Sequence, residues 1–410
     1  MSGLLAGERA AARERSAAGA RAGFWLVALA FAVTMAFSAI PTPLYVLYQE
    51  RDGFGPAVVT VVFAVYAVGV IASLFLVGHL SDRLGRRRVL LPGIAAAMAS
   101  GAVFLAWPSV PGLLVGRLIC GVAVGMVTAT ATAWLTELHA LVHPGASTGR
   151  AELVAVLTNV GGIGFGPLVA GLLAQYAPDP LHLPYWTWEG LLLVALLAVR
   201  VAPETVSPPP ERPAYRPQRV SVPAGARGQF VAAGATGIVS FAVLGLFTSL
   251  APGFLAGTLH HRSHALAGAV TFLVFAATGA GQLLLAPAPP RRQLVAGIGG
   301  LAGGIVLVTV AVWLPSLALL LAGGAVTGIG AGGAFRAAVS TVIGIAPAQT
   351  RGEALAGLFL ASYVGLAVPV VGLGIATQAL SLKDALLGFA AVLLALLAVV
   401  AKLLLGPGRT

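Results

Sequence analysis

Twelve apolar segments, each long enough to cross a lipid bilayer, alternate with short polar connections along the chain. A helix needs about 20 mostly apolar residues to cross the hydrocarbon core. The apolar residues run continuously rather than alternating with polar ones, which excludes the strands of a membrane barrel and predicts helices. The predicted spans cover residues 24–46, 56–78, 88–107, 111–138, 149–177, 184–203, 228–255, 264–287, 294–313, 315–345, 352–378 and 383–406.

One long polar interruption divides these spans six and six. Residues 203–227 carry seven prolines, a composition typical of an extended, semi-rigid spacer rather than a folded domain. We therefore expect an all-α membrane protein with two six-helix bundles. The expected parts are an N-terminal segment 1–23, an N-terminal bundle 24–203, a linker 204–227, a C-terminal bundle 228–406 and a tail 407–410.

The two halves share landmarks at a nearly constant offset. Arg150-x-Glu152 begins the fifth span and Arg351-x-Glu353 the eleventh, 201 residues later. Pro167 and Pro369 follow inside these spans at an offset of 202. A duplicated six-helix unit explains such regularity. Chance is the alternative in a chain with 53 glycines, but it does not easily produce the paired Arg-x-Glu starts.

Charge and composition set the expected environment and orientation. The chain is 58% hydrophobic and 9% charged, with a mean hydropathy of +0.96, more apolar surface than a water-soluble domain can bury. Of its 24 Lys and Arg, three fall in predicted outer loops and two within spans, so nineteen share the side of both termini. The positive-inside rule makes that side cytoplasmic. The pI near 10.8 therefore reflects topology, and no soluble domain is present to bind nucleic acid.

A charged hairpin between the second and third spans is the most specific motif. It reads Gly78-His-Leu-Ser-Asp82-Arg-Leu-Gly85-Arg-Arg-Arg88. It closely resembles the loop between helices 2 and 3 of the major facilitator superfamily, and the chain resembles the bacterial twelve-helix drug:proton antiporters of that superfamily. The alternative is a basic loop that only sets the topology. Such a loop requires its arginines but does not require the aspartate or the glycines.

The resemblance implies the major facilitator fold and a gate on the cytoplasmic side. In that family the aspartate ties helix 2 to the start of helix 11, which carries over to Asp82 and the start of the eleventh span. The corresponding segment of the second half, from Gly281 to Pro287, has no acid, so a gate there is weaker or built differently. The implied gate residues are Gly78, Asp82, Arg83, Gly85, Arg86, Arg87, Arg351 and Glu353.

Two further spans carry motifs that are similar to those of the superfamily. Arg117-x₃-Gly121-x₃-Gly125 in the fourth span is similar to a motif whose arginine is implicated in proton coupling, although an arginine this near the span end can also reach the interface. The fifth span resembles an antiporter signature in part, since Ala170 replaces a glycine. Its motif residues are Gly162, Gly166, Pro167 and Gly171.

The same resemblance makes helices 1, 4, 7 and 10 line a central cavity, with contributions from their neighbours. For each residue, ordinary core or lipid-facing packing is the alternative to contact with cargo. An apolar, aromatic wall suits a hydrophobic or amphipathic ligand. The candidate cavity residues are Phe37, Tyr45, Tyr66, Thr128, Asn159, Phe241, Phe247, Phe335 and Tyr363.

Acidic residues are scarce in the spans, and none lies at the centre of one. The candidates for proton coupling are therefore Arg117, Glu189 and Glu137, and an interfacial glutamate is the simpler interpretation of Glu189. Three histidines at 260, 261 and 264 are better explained by a solvated loop than by a metal site. We expect no catalytic residue, no metal and no cofactor.

These observations predict a secondary active transporter that exports a small hydrophobic or amphipathic molecule by alternating access, by proton antiport. Uptake or facilitated diffusion of a polar metabolite is the alternative, and a transporter-like sensor or scaffold is an alternative of another class. Neither a clustered nucleophile nor a nucleotide-binding loop occurs. We expect a monomer in a bacterial cytoplasmic membrane, with the lipid bilayer, a small-molecule substrate and protons as its partners.

Overall fold

The computed structural model of the protein describes residues 2–78, 80–206, 215–222, 225–347 and 349–405, and it contains helices and no strand within these ranges. The predicted tail 407–410 lies outside the described residues, as do residues 207–214 and 223–224 of the predicted linker. Helix formation follows from the long apolar runs, because backbone groups in lipid must bond within their own segment.

Twelve long helical segments occur in the described chain, one for each predicted span. Eleven are long and apolar enough to cross a membrane by length and composition; the sixth is shorter, at 19 residues, and carries Glu189 and Arg200. The segments are α1 (Ala17–Asp52), α2 (Pro56–Leu76), α3 (Arg86–Ala106), α4 (Val110–Val142), α5 (Gly149–Tyr176), α6 (Leu183–Val201), α7 (Arg227–Ser249), α8 (His264–Leu284), α9 (Pro290–Trp313), α10 (Leu317–Ile345), α11 (Arg351–Ala376) and α12 (Leu382–Leu405).

Three of these segments depart from a continuous α-helix: two contain a break and one contains a π-helical turn. α1 belongs to a helix that begins at Ser2 and breaks at Ile40, because Pro41 and Pro43 follow. α7 ends at Ser249, and a short helix, Ala251–Gly257, continues after the break. α5 contains a π-helical turn, Leu157–Gly161, a feature often found at functional sites.

The buried apolar residues form one large cluster in each half of the chain. The first cluster draws on residues 20–202 and on Leu366 of α11, and its largest side chains include Trp134, Trp188 and Tyr185. The second draws on residues 239–397. Each half therefore has its own core, as two packed bundles require.

Small residues let helices within a bundle approach closely. A Cβ added to Gly121 of α4 would collide with the backbone carbonyl of Tyr66, and one added to Gly69 of α2 would collide with that of Leu118. Only glycine fits at this crossing. The crossing brings the middle of α2 directly against α4, which positions residues of the site described below.

Because twelve helices alternate in direction, α1 begins and α12 ends on one face, which we call the terminal face; the opposite one is the distal face. The bundles meet tightly in the distal half. A Cβ at Gly268 of α8 would collide with the carbonyl of Pro167 in α5, and one at Gly374 of α11 would collide with Thr60 of α2. The two bundles are therefore in direct contact at these two crossings in the distal half.

Candidate functional site

A cavity of about 290 Å³ lies between the two bundles and receives side chains from both. Toward the distal face its lining residues Thr42 and Thr248 are buried. Toward the terminal face Thr132 is exposed and Gln282 is partly exposed. The cavity is thus sealed on the distal side and opens toward the terminal face.

Arg117 of α4 supplies a positive charge to the cavity wall. Its side chain is buried, its Nη1 donates to the backbone carbonyl of Ser38 at 2.6 Å, and its guanidinium carbon lies 4.4 Å from the centre of the Tyr66 ring. Its Nε has no hydrogen-bond partner within the described residues, and no carboxylate there forms an ion pair with it. Contact with an aromatic face compensates this charge only in part.

The C-terminal bundle contributes an aromatic wall on the other side of the cavity. Phe241 of α7 lies 5.1 Å from Phe335 of α10 and 5.5 Å from Tyr363 of α11, measured between ring centres. Phe359 of α11 packs against Phe335 at 5.8 Å. All four residues line the cavity. These edge and tilted contacts give three helices a common apolar surface.

The π-helical turn of α5 carries Asn159 into the cavity lining. A π-turn adds a residue to the helix and redirects the side chains that follow. The glycines that come after it pack against two neighbours: Gly166 against the backbone of Ala36 in α1, and Gly171 against the backbone of His264 in α8. α5 therefore connects the cavity wall to the distal contact between the bundles.

A network of charged groups holds the terminal side of the N-terminal bundle together. The buried guanidinium of Arg86 forms two bonds with the carboxylate of Glu137 in α4, at 2.6 and 3.2 Å, and a third with Asp82 at 2.5 Å. Thr205 also donates to Glu137, at 2.5 Å. Paired, charge-assisted bonds of this kind are geometrically specific. The network joins the α2–α3 hairpin, the end of α4 and the segment after α6.

Glu204 caps the start of α3. Its carboxylate accepts the backbone N–H groups of Arg86 and Arg87 at 2.9 and 3.0 Å, which otherwise lack partners in the first turn of a helix. Gly85, which precedes α3, has φ of +103° and lies against the same carboxylate. A side chain there would face both backbone strain and a steric conflict.

Residues 215–222 lie across the terminal side between α2 and α11. The backbone N–H of Gln218 donates to the carbonyl of Phe75 at 2.8 Å, and the Tyr215 hydroxyl donates to the carbonyl of Leu76 at 2.9 Å. On the other side, Gln218 approaches Gly352 and Val220 packs onto Gly357, both of α11. This part of the linker therefore lies between the helix ends that the predicted gate would join.

The comparison with known proteins decides the family. The family model described as Major Facilitator Superfamily matches residues 26–286, which is more than half of the chain. The chain belongs to the major facilitator superfamily. An uncharacterized MFS-type transporter of Pseudomonas aeruginosa is 27% identical over 373 residues, a match that covers 85% of each chain.

Other relatives within the superfamily match over shorter stretches. Myo-inositol transporter 2 of Cryptococcus neoformans is 32% identical over 129 residues, which make up 31% of this chain but 22% of the relative. A triacylglyceride transporter of Mycolicibacterium hassiacum is 28% identical over 172 residues, 41% of this chain and 29% of the relative. The chain thus aligns with less than a third of the length of either protein.

Solved structures of superfamily members share the fold over nearly the whole chain. The human organic anion transporter MFSD10 (TETRAN) matches with a TM-score of 0.67 and 17% identity, covering 93% of this chain and 99% of the other. A point mutant of the nucleoside transporter NupG matches with a TM-score of 0.73 and 12% identity, covering 93% and 100%. The predicted all-α major facilitator fold is confirmed, and the family is one of transporters, as predicted.

With the superfamily fold established, the predicted cavity residues can be placed. The residues Tyr66, Thr128, Asn159, Phe241, Phe335 and Tyr363 line the cavity. Phe37, Tyr45 and Phe247 do not. Phe37 packs toward Phe104 in the first core, Tyr45 is buried near the distal end of α1, and Phe247 packs onto Gly324. The sequence pattern selected the correct helices for these three but the wrong face.

The three candidates for proton coupling lie in different parts of the structure. Arg117 is buried and lines the cavity rather than reaching the membrane interface. Glu137 belongs to the Arg86 network, and Glu189 of α6 packs against Gly101 of α3, away from the cavity. Of the three, only the arginine is placed where it can meet a cargo.

The predicted superfamily gate is not assembled in this arrangement. Asp82 pairs with Arg86 of its own hairpin and its side chain is 66% exposed, so it stays free to approach another partner. Within the described chain, neither Arg351 nor Glu353 takes part in an ion pair. The absence of an ion pair between Asp82 and the start of α11 agrees with a terminal side that is open. Sequence reasoning missed Glu204 and Gln218, for which the only signal was their place in a proline-rich segment.

Proposed function

We propose that this transporter exports a small amphipathic molecule by alternating access, driven by proton antiport. The observation that carries the proposal is the cavity between the bundles, which opens toward the terminal face and is sealed at the distal face. The excess of Lys and Arg on the terminal side supports a cytoplasmic position for that face. An exporter loads its cargo in such a cytoplasm-facing state and an importer releases its cargo in it, so the vesicle experiment decides the direction of transport.

The distal contacts indicate how the transporter would release its cargo. Rocking of one bundle against the other opens the α5–α8 and α2–α11 crossings and closes the terminal side. The small residues at these crossings, Gly268 and Gly374, allow backbone contact without interlocked side chains. Closure of the terminal side would bring the exposed Asp82 toward α11 once residues 215–222 move aside.

The lining residues support an amphipathic cargo. Four aromatic side chains form one wall, while Arg117 and Asn159 add polar groups at separate points. Ligand sites of this kind combine apolar area with a few oriented polar contacts. The relatives named above include transporters of myo-inositol and of triacylglyceride, so we infer the cargo from the lining rather than from them.

Proton antiport is supported by the α5 motif, which resembles that of antiporters and lies at the distal crossing. The test uses inverted membrane vesicles that contain the transporter and a lipophilic fluorescent dye. We expect dye accumulation when the vesicle interior is acidified and its collapse when an uncoupler is added. Dye accumulation that does not depend on the pH gradient excludes antiport. Dye movement out of the vesicles, opposite to the expected direction, favours uptake.

A further inference from the structure

Arg117 is a buried cation that faces the cavity without an anionic partner. The described lining residues include this arginine and no Asp, Glu or Lys. Its Nη1 is bonded to the Ser38 carbonyl, while its Nε is buried and unbonded. Charged groups inside a membrane pair with an opposite charge or with backbone carbonyls, and Arg117 has one carbonyl and no carboxylate among the described residues. The cavity is the space from which an anionic partner can reach it.

Two sets of polar side chains in the cavity lining differ in whether their donors are already hydrogen-bonded. The hydroxyls of Thr132, Ser240, Thr248 and Thr278 each donate to a carbonyl of their own helix, so their protons are already used. Asn159, Gln282 and Tyr363 also line the cavity, and their side chains form no hydrogen bond with other described residues. These three can donate to a ligand beside Arg117. An anionic group, which only accepts hydrogen bonds, fits such donors.

We propose that the cargo is an amphipathic organic anion, with a carboxylate or sulfonate group bound by Arg117 and an apolar body against Phe241, Phe335 and Tyr363. This inference rests on the proposed transport function and adds the chemical class of its cargo. The planar fork of arginine matches the geometry of such anions. The rings of Phe63 and Tyr66 lie beside the guanidinium, with their centres 5.5 and 4.4 Å from its carbon.

The test compares three probes that share one ring system and differ in charge: 1-naphthalenesulfonate, 1-naphthylmethylammonium and 1-naphthalenemethanol. Binding to the purified full chain in detergent is measured by titration calorimetry. We expect the sulfonate to bind at least about tenfold more tightly than the other two, as a desolvated charge-assisted bond requires. Arg117→Gln should abolish this difference, and Arg117→Lys should retain part of it because the charge remains.

Arg336→Gln is the matched control, since Arg336 is also an arginine within a span but forms an ion pair with Glu152 of α5 at 4.0 Å and does not line the cavity. It should keep the full preference for the sulfonate. Equal affinity for the three probes, tighter binding of the ammonium probe, or a preference that survives in Arg117→Gln overturns the proposal. The elution profile shows whether the Arg117→Gln variant is folded. If it is not, the relative affinities of the three probes for the wild-type chain are sufficient to test the proposal.

Failure of this proposal and failure of the proposed function are distinguishable. The calorimetric test is made at equilibrium and needs neither a gradient nor a direction of transport. A sulfonate preference together with absent gradient-driven flux in the vesicles rejects proton-coupled export and keeps the anion site. Gradient-driven dye flux without a charge preference rejects the anion site and keeps export.

Discussion

The guanidinium carbon of Arg117 lies 4.4 Å from the centre of the Tyr66 ring, so a cation of α4 rests on an aromatic side chain of α2. The crossing at Gly69 and Gly121 makes this possible, because it removes the side chains that would separate the two helices. The arginine is thereby held at the cavity wall. The packing of α2 against α4 therefore fixes the orientation of the Arg117 side chain.

Replacing Tyr66 separates the role of its ring from that of its hydroxyl. Tyr66→Leu removes the aromatic face and should destabilise the bundle by about 1–2 kcal/mol, whereas Tyr66→Phe keeps most of the interaction. Thermal unfolding in detergent measures the difference as a lower midpoint for the leucine variant alone. Equal midpoints for the two variants would show that the ring does not stabilise Arg117.

Arg86 should be the most sensitive residue of the hairpin. Arg86→Met removes the cation that bonds to Asp82 and Glu137, and because both carboxylates remain accessible to water the loss should cost about 1.5–3 kcal/mol. The melting midpoint should fall strongly. Arg88→Met is the control, since Arg88 is exposed and should change stability by less than about 0.5 kcal/mol. Similar midpoints for both variants would contradict the network described here.

The distal contact can be weakened by one methyl group. Gly268→Ala places a Cβ against the Pro167 carbonyl, and overpacking of this kind costs about 1–3 kcal/mol. The cost falls on the distally closed state, so its population should drop by about 5- to 150-fold relative to the distally open state. Gly299→Ala is the control, because a Cβ there meets no atom within 4 Å. Vesicle flux should fall in the first variant and stay unchanged in the second.

The linker should detach from α2 when its backbone bond is removed. Gln218→Pro deletes the N–H that donates to the Phe75 carbonyl, because proline has no backbone N–H. We expect faster amide hydrogen exchange across residues 215–222. Arg219→Pro is the control, as its N–H has no described acceptor. Exchange that rises equally in both variants would mean that the Gln218 bond does not hold the linker.

Hydropathy located all twelve helices because the bilayer imposes one length and one polarity on every span. It could not select the inward face of a helix that is apolar all round, which is why Phe37, Tyr45 and Phe247 were assigned to the cavity and lie elsewhere. The sequence left both a functional and an interfacial position open for Arg117, because the residue is close to the start of α4. Its burial depends on Ser38 and Tyr66, which the chain brings from other helices.

The network of charged groups around Arg86 could also be predicted only in part from the sequence. The hairpin motif identified Asp82 and Arg86, but their bonds to each other and to Glu137 depend on how α4 ends. The Glu204 cap joins residues more than 100 positions apart, a pairing that no local pattern carries. The π-turn of α5 likewise has no sequence signature here, since it reflects how backbone groups pair within an otherwise regular helix.

Distances measured by electron paramagnetic resonance between paired spin labels test the central claim most directly. One label pair, at Ser147 and Arg291, spans the bundles on the terminal face, and a second, at Gly53 and Arg262, spans them on the distal face; all four positions are exposed. The native Cys120 is buried and should not be labelled. From wild type to Gly268→Ala, alternating access predicts a shorter terminal distance and a longer distal one. Distances that stay unchanged, or that change in the same direction on both faces, would contradict it.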